Sequence, residues 1–440
     1  MIGMVINLGN EIKNNYGSYM NKFKFNNSLI AKNSAFLFIL TFSNYFIGFI
    51  LYPYLARVLS VDGFGLLGFS MAYVLVFQVF IEYGFMISAT ASVSKNRSDF
   101  EKVSEIVSTV MHSRLILTTV STIVFLLIPL FFPFLRANFV VIFLFYINAI
   151  LTALLPDFYF RGTENMKVMT IRTVLSKLVG IALVILLVRN QSKFVFVPIA
   201  LIGGNSLALL ASILQLRGVG IKIKFTSHRH AIRNIRESSM FFYSRVAAGI
   251  NQSIGLFILG FRYSPTSIEV GNFTGALRIS TASEMMLAPF SDSLYPYMVN
   301  NKNYRLFKKV IIFGGIAWLL VCSVAFIYAD TICTIMLGAK YNLAGSYLRI
   351  LLFGNFMAFF SNMFGYTALV PIGKSSHANF ALLIGTIANL LAFLALWYFN
   401  QINAYTVCAV ISITNLIIFI YRGFIFWTNR HLVKQLNNVT

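Results

Sequence analysis

Apolar positions in this chain fall in long continuous blocks and do not alternate with polar ones. A helix that crosses the core of a bilayer needs about 20 apolar residues. Twelve such blocks occur, over residues 34–56, 66–92, 113–134, 138–160, 168–188, 194–216, 238–262, 270–298, 309–330, 345–371, 378–400 and 404–427. A barrel strand would alternate, so the pattern argues for helices. The expectation is an all-α, polytopic membrane protein with twelve transmembrane helices. The most basic connection, residues 217–237, divides the blocks six and six. This predicts two six-helix lobes around a central cavity: a tail over 1–33, an N-lobe over 34–216, a linker over 217–237, a C-lobe over 238–428 and a tail over 429–440. A faint repeat points to internal duplication. Block 1 ends at Arg57 before Gly63-Phe64-Gly65, and block 7 ends at Arg262 before Gly271-Asn272-Phe273.

Composition sharpens this picture. Hydrophobic residues are 58% of the 440 and charged residues 11%, against roughly 45–50% and 25% in soluble domains. The 45 Phe and 21 Tyr exclude a disordered chain. The net charge of +22 suggests a nucleic-acid partner only until the cations are placed. Most lie in the amino-terminal tail, in the connections after even-numbered blocks and in the carboxyl tail, for example Lys95, Arg97, Lys222, Arg233, Lys308 and Arg430. Seven lie on the opposite side: Arg57, Arg136, Arg189, Lys193, Arg262, Lys340 and Arg349. The positive-inside rule then places both termini in the cytoplasm. The charge is mostly a topology signal that also attracts anionic membrane lipids, and it requires no nucleic acid.

Several chemistries are absent from the sequence. Gly373-Lys374-Ser375 lacks the first glycine of a phosphate-binding loop, since position 368 is Ala, and no strand precedes it. There is no H-E-x-x-H and no G-x-S-x-G. Cys322, Cys333 and Cys408 are odd in number and irregular in spacing, which fits neither a disulfide framework nor a zinc set. His228 and His230 read as part of a solvated basic loop. The first 33 residues show no cleavable signal peptide. The connections on the side opposite the basic ones are short; the longest, around 331–344, is too small for a catalytic domain. The expectation is a non-enzyme without cofactor or metal.

The remaining chemistry lies in charges inside the blocks. A charge in hydrocarbon costs about 2.5–3.5 kcal/mol on insertion scales, so each needs a partner or a cavity. Glu82 lies in block 2, Arg245 in block 7, and Arg278, Glu284 and Asp292 in block 8; Asp157 is near the end of block 4 and Arg57 closes block 1. Arg245, Ala248, Gly249, Gln252 and Gly255 share one helical face, small and polar, suited to a cavity or a neighbouring helix. Arg278, Met285, Pro289, Asp292 and Pro296 share another, and the two prolines predict a kink. One reading makes Arg278, Arg245, Arg57 and Gln252 a phosphate-binding set, because the guanidinium fork binds phosphate bidentately. Glu82, Asp292 and Glu284 are then candidates for proton or sodium coupling. The other readings are snorkelling to the headgroups and structural pairing, Arg278 with Glu284 or Glu82.

Pro53-Tyr54-Leu55-Ala56-Arg57-Val58-Leu59, Gly63-Phe64-Gly65, Glu82-Tyr83-Gly84-Phe85 and Ser88-Ala89-Thr90 resemble the first two helices of Wzx-type O-antigen flippases. Pro156-Asp157, Gly162, Glu164, Met166-Lys167 and Thr170 resemble the exit of their fourth helix, and Pro265-Thr266-Ser267, Val270-Gly271-Asn272-Phe273 and Tyr295-Pro296 their seventh and eighth. The resemblance covers about residues 30–430. It implies a multidrug/oligosaccharidyl-lipid/polysaccharide exporter fold. It also implies movement of undecaprenyl-pyrophosphate-linked repeat units from the cytoplasmic to the periplasmic leaflet of a Gram-negative inner membrane, with the O-antigen polymerase machinery as an expected partner. The alternatives are a cation-coupled drug exporter of the same superfamily, a membrane glycan polymerase or ligase, and a structural scaffold.

Overall fold

A computed structural model of the chain describes residues 27–432; the side chains of residues 27–34 and of a few helical positions, Asp292 among them, lie outside the described set. Seventeen α-helices and no strand occur among the described residues. They are α1 Asn27–Val58, α2 Val61–Glu82, α3 Phe85–Lys95, α4 Phe100–Leu127, α5 Pro133–Ala137, α6 Phe139–Ala153, α7 Asp157–Gly162, α8 Met166–Leu187, α9 Phe196–Gly218, α10 His228–Tyr263, α11 Ile268–Met285, α12 Ala288–Asn301, α13 Tyr304–Ile327, α14 Ala329–Leu337, α15 Ala344–Asn362, α16 Ser375–Tyr398 and α17 Ala404–Thr428. Helices dominate because a backbone in hydrocarbon must satisfy its own hydrogen bonds. Their starts follow local chemistry. Ser60, Asp99, Ser267 and Asn303 each accept a hydrogen bond from a first-turn N–H of α2, α4, α11 and α13, and Asn403 forms a reciprocal capping box with Thr406 at α17.

By length and apolar composition, ten helical segments among the described residues can cross a bilayer, where the sequence predicts twelve. The two that fall short are α10 and the α11–α12 pair. These carry Arg245, Asn251 and Gln252, and Arg278 and Glu284. Polar groups in those helices dilute their apolarity, as expected of helices that pack between others and do not face lipid. The predicted kink of block 8 occurs at Met286-Leu287, just ahead of Pro289 in the first turn of α12. Two connections are more ordered than the sequence suggests. The expected loop over 331–344 contains most of α14, and the expected linker over 217–237 contains the first turns of α10. Between them Ile221 is buried, and Ser108 Oγ both donates to the Lys222 carbonyl (3.3 Å) and accepts from Lys224 N–H (3.0 Å).

Helices α1 to α9 pack among themselves, as do α13 to α17, and α10 and α11 join the two groups. The first turns of α10 lie on the early helices: Ser238 bonds Ser88 (2.9 Å) and Asn234 donates to Ser113 Oγ (3.1 Å). Its later turns lie on the late ones, with Asn251 donating to Thr386 Oγ1 (2.9 Å). Helix α11 runs between α2 and α15, and its backbone approaches α2 closely. A Cβ at Gly65 would sit 2.8 Å from the Pro265 carbonyl oxygen and 2.9 Å from Gly271 N. The two glycine motifs of the faint repeat therefore meet each other across this seam.

The break between α2 and α3 shapes the same seam. Tyr83 and Gly84 are both left-handed, at φ 47° and 83°. A Cβ at Gly84 would lie 2.8 Å from Phe241 Cβ on α10. Gly220 has the same backbone conformation (φ 85°) but open space around it. Gly84→Ala is expected to destabilise the fold by about 1–3 kcal/mol through strain and crowding together, and Gly220→Ala by less. Thermal unfolding in detergent checks the order, and equal shifts for the two would contradict the tight approach of α10 at Gly84.

Candidate functional site

Helix α2 acts as a rail along the seam, and the predicted arginines stand at different heights beside it. Arg278 of α11 reaches α2 at Met71, where its Nη2–H points to Sδ at 3.6 Å. Its guanidinium lies over the Tyr52 ring of α1, 4.5 Å from the centroid. Arg278 is half-buried, its Nε is buried without a partner, and among the described residues it has no carboxylate partner. Met71 is ten residues into α2, about 15 Å from its start at 1.5 Å per residue. Met71 thus lies inside Val61–Lys95, a helical segment long and apolar enough to cross a bilayer.

Arg245 stands lower. It pairs with Glu82 at 2.7 Å, and Glu82 also accepts from Gln78 Nε2 at 2.8 Å, one turn earlier on α2. The Arg245 side chain is 44% exposed and that of Glu82 17%, so the pair is partly exposed. It lies about 16 Å along α2 from the Met71 level. Arg57 stands at the opposite end, five residues beyond Tyr52, and donates to the Ile335 carbonyl of α14 at 2.5 Å. The three arginines thus form a ladder along the seam and do not share one pocket.

The other predicted residues distribute as follows. Gln252 is exposed, as are Arg245 and Ala248, whereas Gly249 and Gly255 of the same stripe face Val79 of α2 and Val407 and Ile411 of α17. The stripe is divided between open space and helix packing. Glu284 is half-buried in the last turn of α11, beside the break, and its carboxylate has no hydrogen bond or ion pair among the described residues. It lies six residues past Arg278, about 9 Å deeper toward the Glu82 level. The Asp292 side chain is outside the described residues. Asp157 begins α7 and accepts from Arg172 at 2.5 Å, and Arg172 also donates to Ser212 (2.7 Å).

Reading cations by the gaps between blocks hides four that lie inside the blocks: Arg114, Arg172, Lys177 and Arg422. Arg114, 1% exposed, donates to the Leu155 carbonyl (2.9 Å) and lies over Phe158. Arg422, 5% exposed, donates to the carbonyls of Ser361 (2.8 Å) and Ala378 (2.9 Å). Leu155 and Ser361 lie at the carboxyl ends of α6 and α15, where unpaired carbonyls attract cations. Position within a block is the signal that could have found these residues. Their contacts make them structural clamps. Two cavities, of about 460 Å³ beside Arg97 and Tyr159 and about 240 Å³ beside Arg262 and Trp397, hold none of the predicted phosphate-binding or coupling residues. Cys322, Cys333 and Cys408 are buried and free.

With this geometry in hand, comparison with known proteins is informative. A curated protein of Escherichia coli (strain K12) named "Putative O-antigen transporter" is 29% identical over 390 residues, covering 85% of this chain and 92% of its own. A solved inward-facing multidrug resistance MATE family transporter of the MOP superfamily superposes with a TM-score of 0.66 at 15% identity, over 91% of this chain and 96% of its own. The lipid II flippase MurJ in an inward closed conformation gives 0.64 at 16% identity, over 89% of this chain and 87% of its own. These two share the fold. The family model described as "Polysaccharide biosynthesis protein" matches residues 30–302. The chain belongs to the polysaccharide biosynthesis protein family, built on the same helical transporter fold as MATE and MurJ proteins.

Proposed function

We propose that this chain is a flippase of the bacterial inner membrane, with both termini in the cytoplasm. In this reading it carries undecaprenyl-pyrophosphate-linked O-antigen or related polysaccharide repeat units to the periplasmic leaflet by alternating access. The observation that carries this reading is Arg278, a guanidinium near mid-depth with no anionic partner among the described residues. An arginine at that depth costs about 2.5–3.5 kcal/mol on insertion scales. The cation–π contact with Tyr52 returns about 0.5–2 kcal/mol. The remainder is what an incoming phosphate can recover, and the planar fork suits a pyrophosphate. The fold, the family and the named relative support a lipid-linked glycan as the cargo.

The ladder orders the steps. Arg245 meets the headgroup first, near the cytoplasmic end, and can exchange Glu82 for phosphate while Gln78 stays on the carboxylate. Arg278 holds the pyrophosphate at mid-depth. The glycan occupies the polar seam beside Gln252, and the prenyl tail stays in lipid. Arg57 becomes available last, once it leaves the Ile335 carbonyl. Glu284, without a cation partner among the described residues, is the best-placed group for a coupling proton or sodium ion; Glu82 and Asp292 are the other candidates.

Arg278→Ala is expected to remove long-chain O-antigen from lipopolysaccharide while the protein remains in the membrane at its normal level, and Arg278→Lys to retain part of it. Lipopolysaccharide gels alongside membrane immunoblots test this; a normal ladder from Arg278→Ala would overturn the assignment. For coupling, Glu284→Gln is expected to lower gradient-driven flipping in proteoliposomes by roughly tenfold or more, equivalent to about 1.4 kcal/mol in the driving equilibrium. Binding of the lipid-linked sugar should change little. Undiminished gradient dependence in that variant would exclude Glu284.

A further inference from the structure

The end of the seam near Arg57 is closed by an exchange of cations between two helix ends. Helix α1 ends at Val58, which leaves the carbonyls of its last turn without intrahelical partners. Two of these carbonyls, and that of Leu59 just beyond the helix, are taken by the turn after α14. Lys340 Nζ donates to the Arg57 carbonyl (3.1 Å) and to the Leu59 carbonyl, and Tyr341 OH donates to the Ala56 carbonyl (3.0 Å). In return the Arg57 guanidinium donates to the Ile335 carbonyl in the last turn of α14 (2.5 Å). Gly338, at φ 106°, ends α14 and turns the chain so that Lys340 faces α1. Each helix carboxyl end, the negative end of its dipole, thus receives a cation from the other group of helices.

The arrangement is specific. Tyr341 is 3% exposed and meets the edge of the Phe64 ring at 5.7 Å. Just beneath it, the Leu343 N–H donates to Asn272 Oδ1 (3.1 Å), and the glycine motifs of α2 and α11 touch. All four acceptors in the exchange are main-chain carbonyls, so the bonds are set by the relative position of two helices and break together when those helices separate. Desolvation at this contact lowers the Lys340 pKa, opposed by the nearby Asp62 carboxylate.

We propose that Lys340 and Tyr341, with Arg57, form a latch that holds this end of the transporter shut, and that its release is the step that opens the seam on the side opposite the basic loops. The latch deepens the alternating-access reading and rests on it, but it can be tested without any cargo.

Spin labels on Asn190→Cys and Thr331→Cys, both exposed and on opposite sides of the latch, report the separation in nanodiscs; the three native cysteines are buried and are left in place. Without cargo, the otherwise native chain should show mainly the short distance. Lys340→Met combined with Tyr341→Phe should raise the long-distance population by roughly tenfold. Lys340→Arg, which keeps a cationic donor, should retain the native distribution. Tyr341→Phe alone removes one hydroxyl and leaves packing intact, so it should shift the populations in the same direction even if the double variant unfolds. Unchanged distances in Tyr341→Phe and in the double variant would overturn the latch, as would Lys340→Arg opening the seam as far as the double variant does. An opened seam combined with normal O-antigen from Arg278→Ala would keep the latch and discard the proposed cargo site.

Discussion

A guanidinium inside the apolar helical body, with no anionic partner among the described residues, sets the energetic problem that the seam is arranged around. Arg278 has a ring face and a thioether beside it, and neither matches a carboxylate as a partner. Were Glu82 within its reach, the two charges would neutralise each other in a dry interface. Glu82 instead serves Arg245 on another helix, about 16 Å away along α2. The separation of these two arginines leaves Arg278 without a carboxylate among the described residues and Arg245 already paired.

The same seam explains why α10 and α11 are the least apolar of the long helices. Both pack between groups of neighbours, α10 on α2, α4 and α16 and α11 on α2 and α15. Close backbone approach of α2 and α11 at Gly65 and Gly271 makes a tight hinge-like contact near one end. At the other end, Arg245 and Glu82 remain partly exposed.

Much of this was legible in the sequence. Continuous apolar blocks, without the alternation of barrel strands, fix helices because each helix satisfies its own backbone hydrogen bonds in hydrocarbon. The Gly63-Phe64-Gly65 and Gly271-Asn272-Phe273 motifs marked the turns that touch, and the prolines marked the break before α12. Arg278 and Arg245 stood out as cations inside blocks. Their heights did not, because spacing along one helix says nothing about its register against the next. The pairing of Glu82 was open for the same reason: α10 passes it, and α11 does not. Arg114 and Arg422 were hidden among the loop cations, although each lies within a helix and serves the carboxyl end of a neighbour. Helix α14 was missed because a nine-residue helix in a short connection has no long apolar run to announce it.

The most direct test of the seam as a phosphate site is equilibrium binding of undecaprenyl pyrophosphate to the purified protein in nanodiscs, native against Arg278→Gln. Loss of this cation should weaken binding by at least about tenfold, equivalent to about 1.4 kcal/mol. Equal affinity for the two proteins would contradict the claim that Arg278 receives the pyrophosphate.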